Sequence, residues 1–290
     1  MDGNDGENRA LPPGLYLVAT PIGNLRDITL RALDTLADVD LIACEDTRVT
    51  AKLLTAHGIS TPMTAYHEHN AARARPRLLA RLAEGTRVAL VSDAGTPLIS
   101  DPGFKLVAGC RERAIPVTAL PGASAVLTAL TLSGLPTDSF HFAGFLPART
   151  KARRYALTAL ADIEATLVLF ESGPRLAKLL ADATEILGAR NAAVCRELTK
   201  LHEDVVTGDL HFLSDRYAAE GAPRGEIVVI IAPPAAAEKT PISGEALDAR
   251  LRDALDRESV RDAATEVARE TGLPRRSVYA RALELTGKAR

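Results

Sequence analysis

The chain has 290 residues and a formal net charge of −2, a length that suits about two domains and a charge balance that excludes a globally basic nucleic-acid binder while allowing local patches. Hydrophobic residues make up 47% but aromatics only 4%, and Trp is absent, so Ala, Leu and Val must build the core. Cys44, Cys110 and Cys195 are too few and too scattered for a disulfide framework or a zinc site, and they read as reduced thiols of a cytoplasmic protein.

In chain order, residues 1–13 are acidic and polar and read as a disordered leader without an apolar signal region. GLYLVAT (14–20) predicts a buried strand ending at PIGN, ITLRALDTLADVD (28–40) a helix, LIACED (41–46) a strand and RVTAKLLTAHG (48–58) a helix closed by Gly. MTAYHEHN (63–70) reads as extended, 72–85 as a helix, RVALVSD (87–93) as a strand, 103–114 as a helix, 116–122 as a strand and 123–134 as a helix. FHFAGFLP (140–147) opens a second half, followed by a basic connector ARTKARR (148–154). Then come a helix at 155–161, strands at 165–172 and 191–198, a helix at 174–187 between them, an extended segment at 203–210, a helix at 211–220 and a strand at 225–234. The alternation argues for α/β architecture with parallel pairing, in an N-terminal lobe (14–136) and a C-terminal lobe (137–234). Composition marks 235–244 as a linker. Residues 245–290 read as a helical domain: Ser259 suits an N-cap, Gly272 a helix end and Pro274 the start of another helix, the outline of a helix-turn-helix. No apolar run approaches the roughly 18 residues needed to span a membrane.

The polar and small-residue motifs fall at the carboxyl ends of predicted strands, where open α/β sheets bind ligands. There is no GxxxxGK[ST] and no GxGxxG after the first strand, so triphosphate and dinucleotide sites are disfavoured. There is no GxSxG nucleophile elbow. His67 and His69 share a face if extended, but no third ligand stands at a recognisable spacing, and no metal is expected. What remains is a set of loops rich in small residues, VSDAGTPLISDPG (91–103) foremost, with Asp101-Pro102-Gly103 read as the start of the next helix. Such loops bring main chain close to a small-molecule ligand; tight strand-to-helix turns also need Gly and Pro for their own sake.

Nine segments carry a resemblance: TPIGNL.DIT.RAL, DLIACEDTR, HEHN, VALVSDAGTPLISDPG, LPGASA, GFLP, ESGPR, RELTK.HE and RGEIVV. In order and spacing they resemble the ribosomal RNA small subunit methyltransferase I family, within the tetrapyrrole (class III) methylase superfamily. The likeness runs from about Leu15 to Pro233, and the helical tail is similar to the small domain that members carry. It implies two α/β lobes with S-adenosylmethionine in the interlobe cleft, 2′-O-methylation of a cytidine in the decoding region of 16S rRNA, and a homodimer without metal.

Carried over residue by residue, the resemblance implies cofactor contacts from Pro21, from the main chain of Asp93, Ala94 and Gly95, and from Leu98, Ser124, Ala125, Glu171 and Leu198. Small-molecule methylases of the superfamily carry a G-G-D-P-like stretch where this chain has Ser92 to Pro97, so the register of these contacts is open by a residue or two. A ribose hydroxyl needs a base, for which Asp46, His67 and Glu68 are candidates; Arg48 and Lys200 are expected to grip phosphate or orient the ribose. Two basic patches are expected to meet RNA. One is Arg149, Lys151, Arg153 and Arg154. The other is Arg275, Arg276, Arg281, Lys288 and Arg290, which stand against a single acid, Glu284, in the last 17 residues. The alternatives are a tetrapyrrole-type small-molecule methylase and a non-catalytic RNA-binding protein.

Overall fold

The computed structural model describes residues 11–235, 243–271 and 273–287, which fall into two compact units divided at Pro233 and Pro234. The first unit holds two five-stranded sheets. The first sheet comprises β1 (Gly14–Val18), β2 (Leu41–Cys44), β3 (Met63–Ala65), β4 (Arg87–Val91) and β5 (Val117–Leu120), in the order β3-β2-β4-β1-β5 and parallel throughout. Its inner strands β1, β2 and β4 are apolar on both faces, as a doubly covered parallel sheet requires. Leu15, Leu41, Ala43, Val88 and Leu90 pack under α3 (Ala71–Ala83) and α4 (Phe104–Glu112). The alternate residues Tyr16, Ile42, Cys44, Ala89 and Val91 pack under α1 (Leu30–Asp38) and α2 (Thr47–Ala56). The chain leaves β1 toward one face and β4 toward the other, so the loops after these adjacent strands diverge and open a crevice at their carboxyl ends.

The second sheet is β6 (Phe140–Phe145), β7 (Thr166–Ser172), β8 (Asn191–Arg196), β9 (Asp204–Asp209) and β10 (Glu226–Ile231), in the order β6-β7-β10-β8-β9. Here the parallel expectation fails: only β6 and β7 pair in parallel, whereas β10 runs antiparallel between β7 and β8, and β8 and β9 form a hairpin. The β8–β9 connection is too short for a parallel crossover. One face of this sheet packs on α6 (Thr150–Leu160), α7 (Gly173–Leu187) and α8 (Leu210–Glu220). The other face receives α5 (Ala125–Leu132): Val126, Ala129 and Leu130 pack with Val168, Ala193, Cys195, Val228 and Ile230, joined by Ile22 and Leu198. A helix whose strand belongs to the first sheet therefore covers the second, and this cluster unites the lobes.

Three local expectations change. The basic connector 148–154 is largely helix, because α6 begins at Thr150 and places Arg153 on its buried stripe with Leu157 and Leu160. HEHN is not extended. The strand stops at Ala65, and residues 68–70 turn into α3, with the Asn70 side chain accepting from the His67 N–H at 3.0 Å. Within the leader, Leu11 packs on the α1/α2 core and the Pro12 carbonyl accepts from the Tyr16 hydroxyl at 2.6 Å, while residues 1–10 lie outside the described residues.

The second unit packs α9 (Gly244–Leu255), α10 (Val260–Thr271) and α11 (Arg275–Leu285) around Leu251, Ala263, Val267, Val278 and Ala282. The Ser259 hydroxyl accepts from the Asp262 N–H at 3.3 Å, and Pro274 stands at the N-cap of α11. Gly272, most of the linker, Lys288 and Arg290 lie outside the described residues.

The seam between the lobes depends on Gly23. A Cβ there would overlap the Lys200 side chain and come within 2.8 Å of the Thr199 hydroxyl, which accepts from the Asn24 N–H at 3.1 Å. The expected outcome for Gly23→Ala is an overpacking loss of about 1–3 kcal/mol and a fall in Tm of about 2–4 °C for each kcal/mol. Differential scanning calorimetry checks this, and an unchanged Tm removes the seam's role.

Candidate active site

Between the lobes lies a cavity of about 320 Å³, within the range of small-molecule sites. The first lobe contributes Ile22 from the loop after β1, Ala94 to Thr96 and Ile99 to Asp101 from the loop after β4, and Ser124 to Val126 at the start of α5. The second lobe contributes Phe145 at the end of β6, Phe170 to Ser172 at the end of β7, Leu198 after β8, and Gly225 to Val228 leading into β10. Phe170 packs edge-on against Phe142 and Phe145, with ring centroids 4.9 and 5.5 Å apart, and Phe145 keeps an exposed face.

The loop after β4 is held in a costly shape. Leu98 and Ser100 adopt left-handed backbone (φ 74° and 64°), as do Glu197 and Thr199 in the facing loop (φ 51° and 66°). Such residues cost about 1–2 kcal/mol each, and they persist only where the surroundings impose them. Gly95 (φ 78°) exchanges two backbone hydrogen bonds of 2.9 Å with Thr20, and its carbonyl also accepts from the Ser92 hydroxyl at 3.0 Å. The Thr96 hydroxyl donates to the Ala123 carbonyl at 3.1 Å, tying this loop to the one that starts α5.

These bonds alter several expected cofactor contacts. Ala94, Gly95, Ser124, Ala125, Glu171 and Leu198 all line the cavity. Gly95, however, has its N–H committed to Thr20, so it shapes the wall rather than donating to a ligand. Pro21 does not line the cavity; its neighbour Ile22 does. Leu98 turns away and packs on the α3/α4 core beneath Gly103, and Ile99 takes the wall position. Asp93 is also off the wall: its carboxylate accepts from the Asp46 N–H at 3.0 Å and ties the β4 loop to the β2 loop. The Ser124 hydroxyl caps α5.

Glu171 is the most constrained polar group of the site. Its side chain is 0% exposed. Oε1 accepts from the Ser172 N–H at 2.8 Å and lies 3.0 Å from Arg175 Nε, while Oε2 is buried without a partner. The carboxylate is thus sealed behind the cavity lining, with one oxygen left without a partner.

The carboxylates near the crevice separate by environment. Asp46 caps α2 and is gripped by Arg48 (Nη2 to Oδ2, 2.6 Å), hydrogen bonds that hold its carboxyl down at about 2. So low a value makes Asp46 a poor base, contrary to expectation. Glu68 is exposed on the turn before α3, and His67 and His69 face each other edge-on with ring centroids 6.0 Å apart; none of the three lines the cavity. Asp101 does. Burial, reinforced by the Glu45 charge and partly offset by the Ser92 hydroxyl, pushes its carboxyl up to about 6. Glu45 is raised as well, by burial and then by Asp93. Sequence reasoning missed Asp101 because S-D-P-G reads as turn and helix-start chemistry; the acids of EDTR and VSD on neighbouring strands were the available signal.

The expected RNA-contacting cations fare unevenly. Lys200 Nζ is held 2.8 Å from Glu197 and 3.0 Å from Glu226, and so is not free for a phosphate. Arg153 is 3% exposed and paired at 2.7 Å with Asp182 of α7, and Arg154 pairs with Asp182 and Glu185. A buried pair of this kind is structural, since freeing either member would strand a charge. Arg149 and Lys151 remain exposed at the start of α6. In the helical unit, Arg281 bridges α11 to Asp248 of α9 through two bonds of 2.7 and 2.6 Å and also meets Glu284. Arg275 donates to the Thr265 hydroxyl at 3.0 Å, and Arg276 is exposed. Among the described residues no cluster of His, Cys, Asp and Glu has a metal-holding arrangement, and no helix is long and apolar enough to cross a membrane.

Comparison with known proteins places this architecture. The family described as Tetrapyrrole (Corrin/Porphyrin) Methylases matches residues 14–213, and the RsmI C-terminal HTH domain matches residues 241–286. The chain is 52% identical over 278 residues to a protein of Mesorhizobium japonicum named ribosomal RNA small subunit methyltransferase I, covering 96% of this chain and 94% of the relative. A protein of the same name from Erythrobacter litoralis is 51% identical, with 97% and 99% covered. Among solved structures, diphthine synthase superposes with a TM-score of 0.60 at 18% identity, covering 75% of this chain and 89% of that one. Uroporphyrin-III C-methyl transferase from Thermus thermophilus, complexed with S-adenyl homocysteine, gives a TM-score of 0.52 at 21% identity, covering 76% and 97%. Likeness at that level of identity shows the fold alone, but the near-complete coverage by relatives at about half identity goes further: the chain belongs to the ribosomal RNA small subunit methyltransferase I family of tetrapyrrole methylases.

Proposed function

We propose that the protein transfers a methyl group from S-adenosylmethionine to the 2′-hydroxyl of a cytidine in 16S rRNA of the small ribosomal subunit. The observation that carries the reading is the interlobe cavity at the carboxyl ends of both sheets, in a chain whose relatives of half identity bear the rRNA methyltransferase name. The residues present suit S-adenosylmethionine. Ile22, Val126, Phe170, Leu198 and Val228 provide apolar wall for a nucleoside, and Thr96, Asp101 and Ser124 add polar residues to the same lining.

S-adenosylmethionine supplies the activated methyl group when bound; the chain supplies alignment and a proton acceptor. Holding the hydroxyl in line with that group accounts for about 7–11 kcal/mol of barrier lowering in well-aligned systems. Asp101 is the base: it lines the cavity, and a carboxyl near 6 is ionised at neutral pH while remaining a competent acceptor for the 2′-hydroxyl proton. Asp46, capped and clamped by Arg48, orders the rim instead. The exposed face of Phe145 offers a stacking surface at the mouth, which suits a base splayed out of a folded RNA.

The same reading has the protein acting in the cytoplasm as a homodimer. Exposed Leu127 and Leu132 on α5 and the uncovered edge strand β5 support an interface on that side. The helical unit is an RNA-docking module, with Arg276 and the partly engaged Arg275 as its available cations.

Four outcomes are expected. Incubated with labelled S-adenosylmethionine, the protein methylates 30S particles from cells lacking this enzyme, mapped as a 2′-O-methylcytidine. Transfer to a uroporphyrinogen-type acceptor instead would favour a small-molecule methylase, and failure to bind S-adenosylmethionine by calorimetry would favour a non-catalytic RNA binder. Asp101→Asn lowers kcat about 10²–10⁴-fold with S-adenosylmethionine affinity retained, whereas Asp46→Asn, which keeps a capping side chain, changes kcat little. The wild-type rate rises with pH through about 6 and then levels, because the base works deprotonated. A flat wild-type profile, or full activity in Asp101→Asn, removes Asp101 from this role.

A further inference from the structure

The patches singled out by charge along the sequence lose much of their charge to ion pairs, yet another surface keeps its own. Helix α3 carries Arg73, Arg75, Arg77 and Arg81 and no acidic residue. Arg73, Arg77 and Arg81 stand at successive i, i+4 positions, are all exposed, and form no ion pair among the described residues. Like charges at this spacing cost a helix about 0.2–0.5 kcal/mol per pair, and Arg73 in the first turn opposes the helix dipole as well. Arg81 is eased by its place in the last turn and by the charge of Asp40, whereas Arg73 and Arg77 have no acid within ion-pair distance among the described residues. Helix α4 packs beside α3 on the same face of the first sheet and adds exposed Lys105 and Arg111.

The placement gives the charge a direction. Helix α3 starts from the turn that follows β3, and α4 starts from the loop that lines the cavity, so both amino ends stand at the carboxyl edge of the sheet where the crevice opens. Phe104, the first residue of α4 and three positions after Asp101, is 74% exposed, and Arg111 lies two turns along the same helical face. The arginines of the α3 stripe are about 6 Å apart along the axis, a spacing comparable to that of successive backbone phosphates.

We propose that the exposed face of α3 and α4 is the surface on which the RNA strand flanking the target nucleotide lies, with Arg73, Arg77 and Arg81 on its phosphates and Phe104 against an unstacked base. The proposal rests on the rRNA-methylating reading above. Phosphate contacts of this kind set affinity and orientation without reading sequence, which leaves choice of nucleotide to the cavity.

The test compares wild type, Arg73→Gln/Arg77→Gln, Phe104→Ala, and a charge-matched control, Lys178→Gln/Arg216→Gln, on α7 and α8. Each is measured for S-adenosylmethionine affinity by calorimetry and for 30S binding across a salt series. The α3 variant is expected to bind 30S about tenfold or more weakly, and its log K against log salt slope is expected to be shallower by about one to two. Phe104→Ala weakens binding about fivefold or more with the slope unchanged. S-adenosylmethionine affinity stays at the wild-type value in every variant, and the control matches wild type. Wild-type 30S affinity and slope in the α3 variant, with methyl transfer intact, overturn the surface and leave the rRNA-methylating reading standing. Absence of 30S binding and methylation by the wild type itself overturns both.

Discussion

The structure depends on the close approach of two loops that belong to different sheets. Gly23 in the loop after β1 lies against Thr199 and Lys200 in the β8–β9 connection with no room for a side-chain carbon, and the Asn24 N–H is satisfied by the Thr199 hydroxyl. Behind this seam, α5 buries Val126, Ala129 and Leu130 on the second sheet. The lobes are thereby one packed body, and the cavity is the space the seam leaves between their edges. The left-handed residues on either side, Leu98 and Ser100 in one lobe and Glu197 and Thr199 in the other, belong to the same arrangement. Local strain there is set against interlobe packing, and the result is a preformed cleft.

Within that cleft, environment divides carboxylates of similar sequence appearance. Asp46 and Asp101 both follow strands and both precede helices. Asp46 meets Arg48 and helix N–H groups and falls to about 2, while Asp101 meets apolar wall and the Glu45 charge and rises to about 6. Displacing two acids in opposite directions gives them different protonation behaviour within one fold. The same logic sorts the arginines. Those facing an acid across a helix pair, such as Arg153 with Asp182 and Arg281 with Asp248, hold helices together; those on α3 keep their charge facing outward.

Much of this was legible in the order of residues. Each strand is a short apolar run closed by breakers, each helix has its apolar period, and the motifs at strand ends announce a site at the carboxyl edge of a parallel sheet. Six of the nine residues expected around the cofactor do line the cavity: Ala94, Gly95, Ser124, Ala125, Glu171 and Leu198. Pro21, Asp93 and Leu98 miss by one residue each, beside Ile22, Ala94 and Ile99, because the backbone turn between neighbours decides which residue faces inward; Leu98, in left-handed backbone, packs into the core against Gly103 instead.

What the linear chain determined is everything set within a short window: hydrophobic period, caps, breakers, and hence the identity and order of nearly all elements. Tertiary structure decided what depends on segments far apart. The insertion of β10 antiparallel between β7 and β8 is a choice among remote strands of similar apolar character. The burial of Arg153 requires an acid 29 residues away. The elevation of Asp101 requires walls and charges from several loops at once. Propensity acts between neighbours along the chain, whereas desolvation and ion pairing act between neighbours in space, and only folding makes those neighbours known.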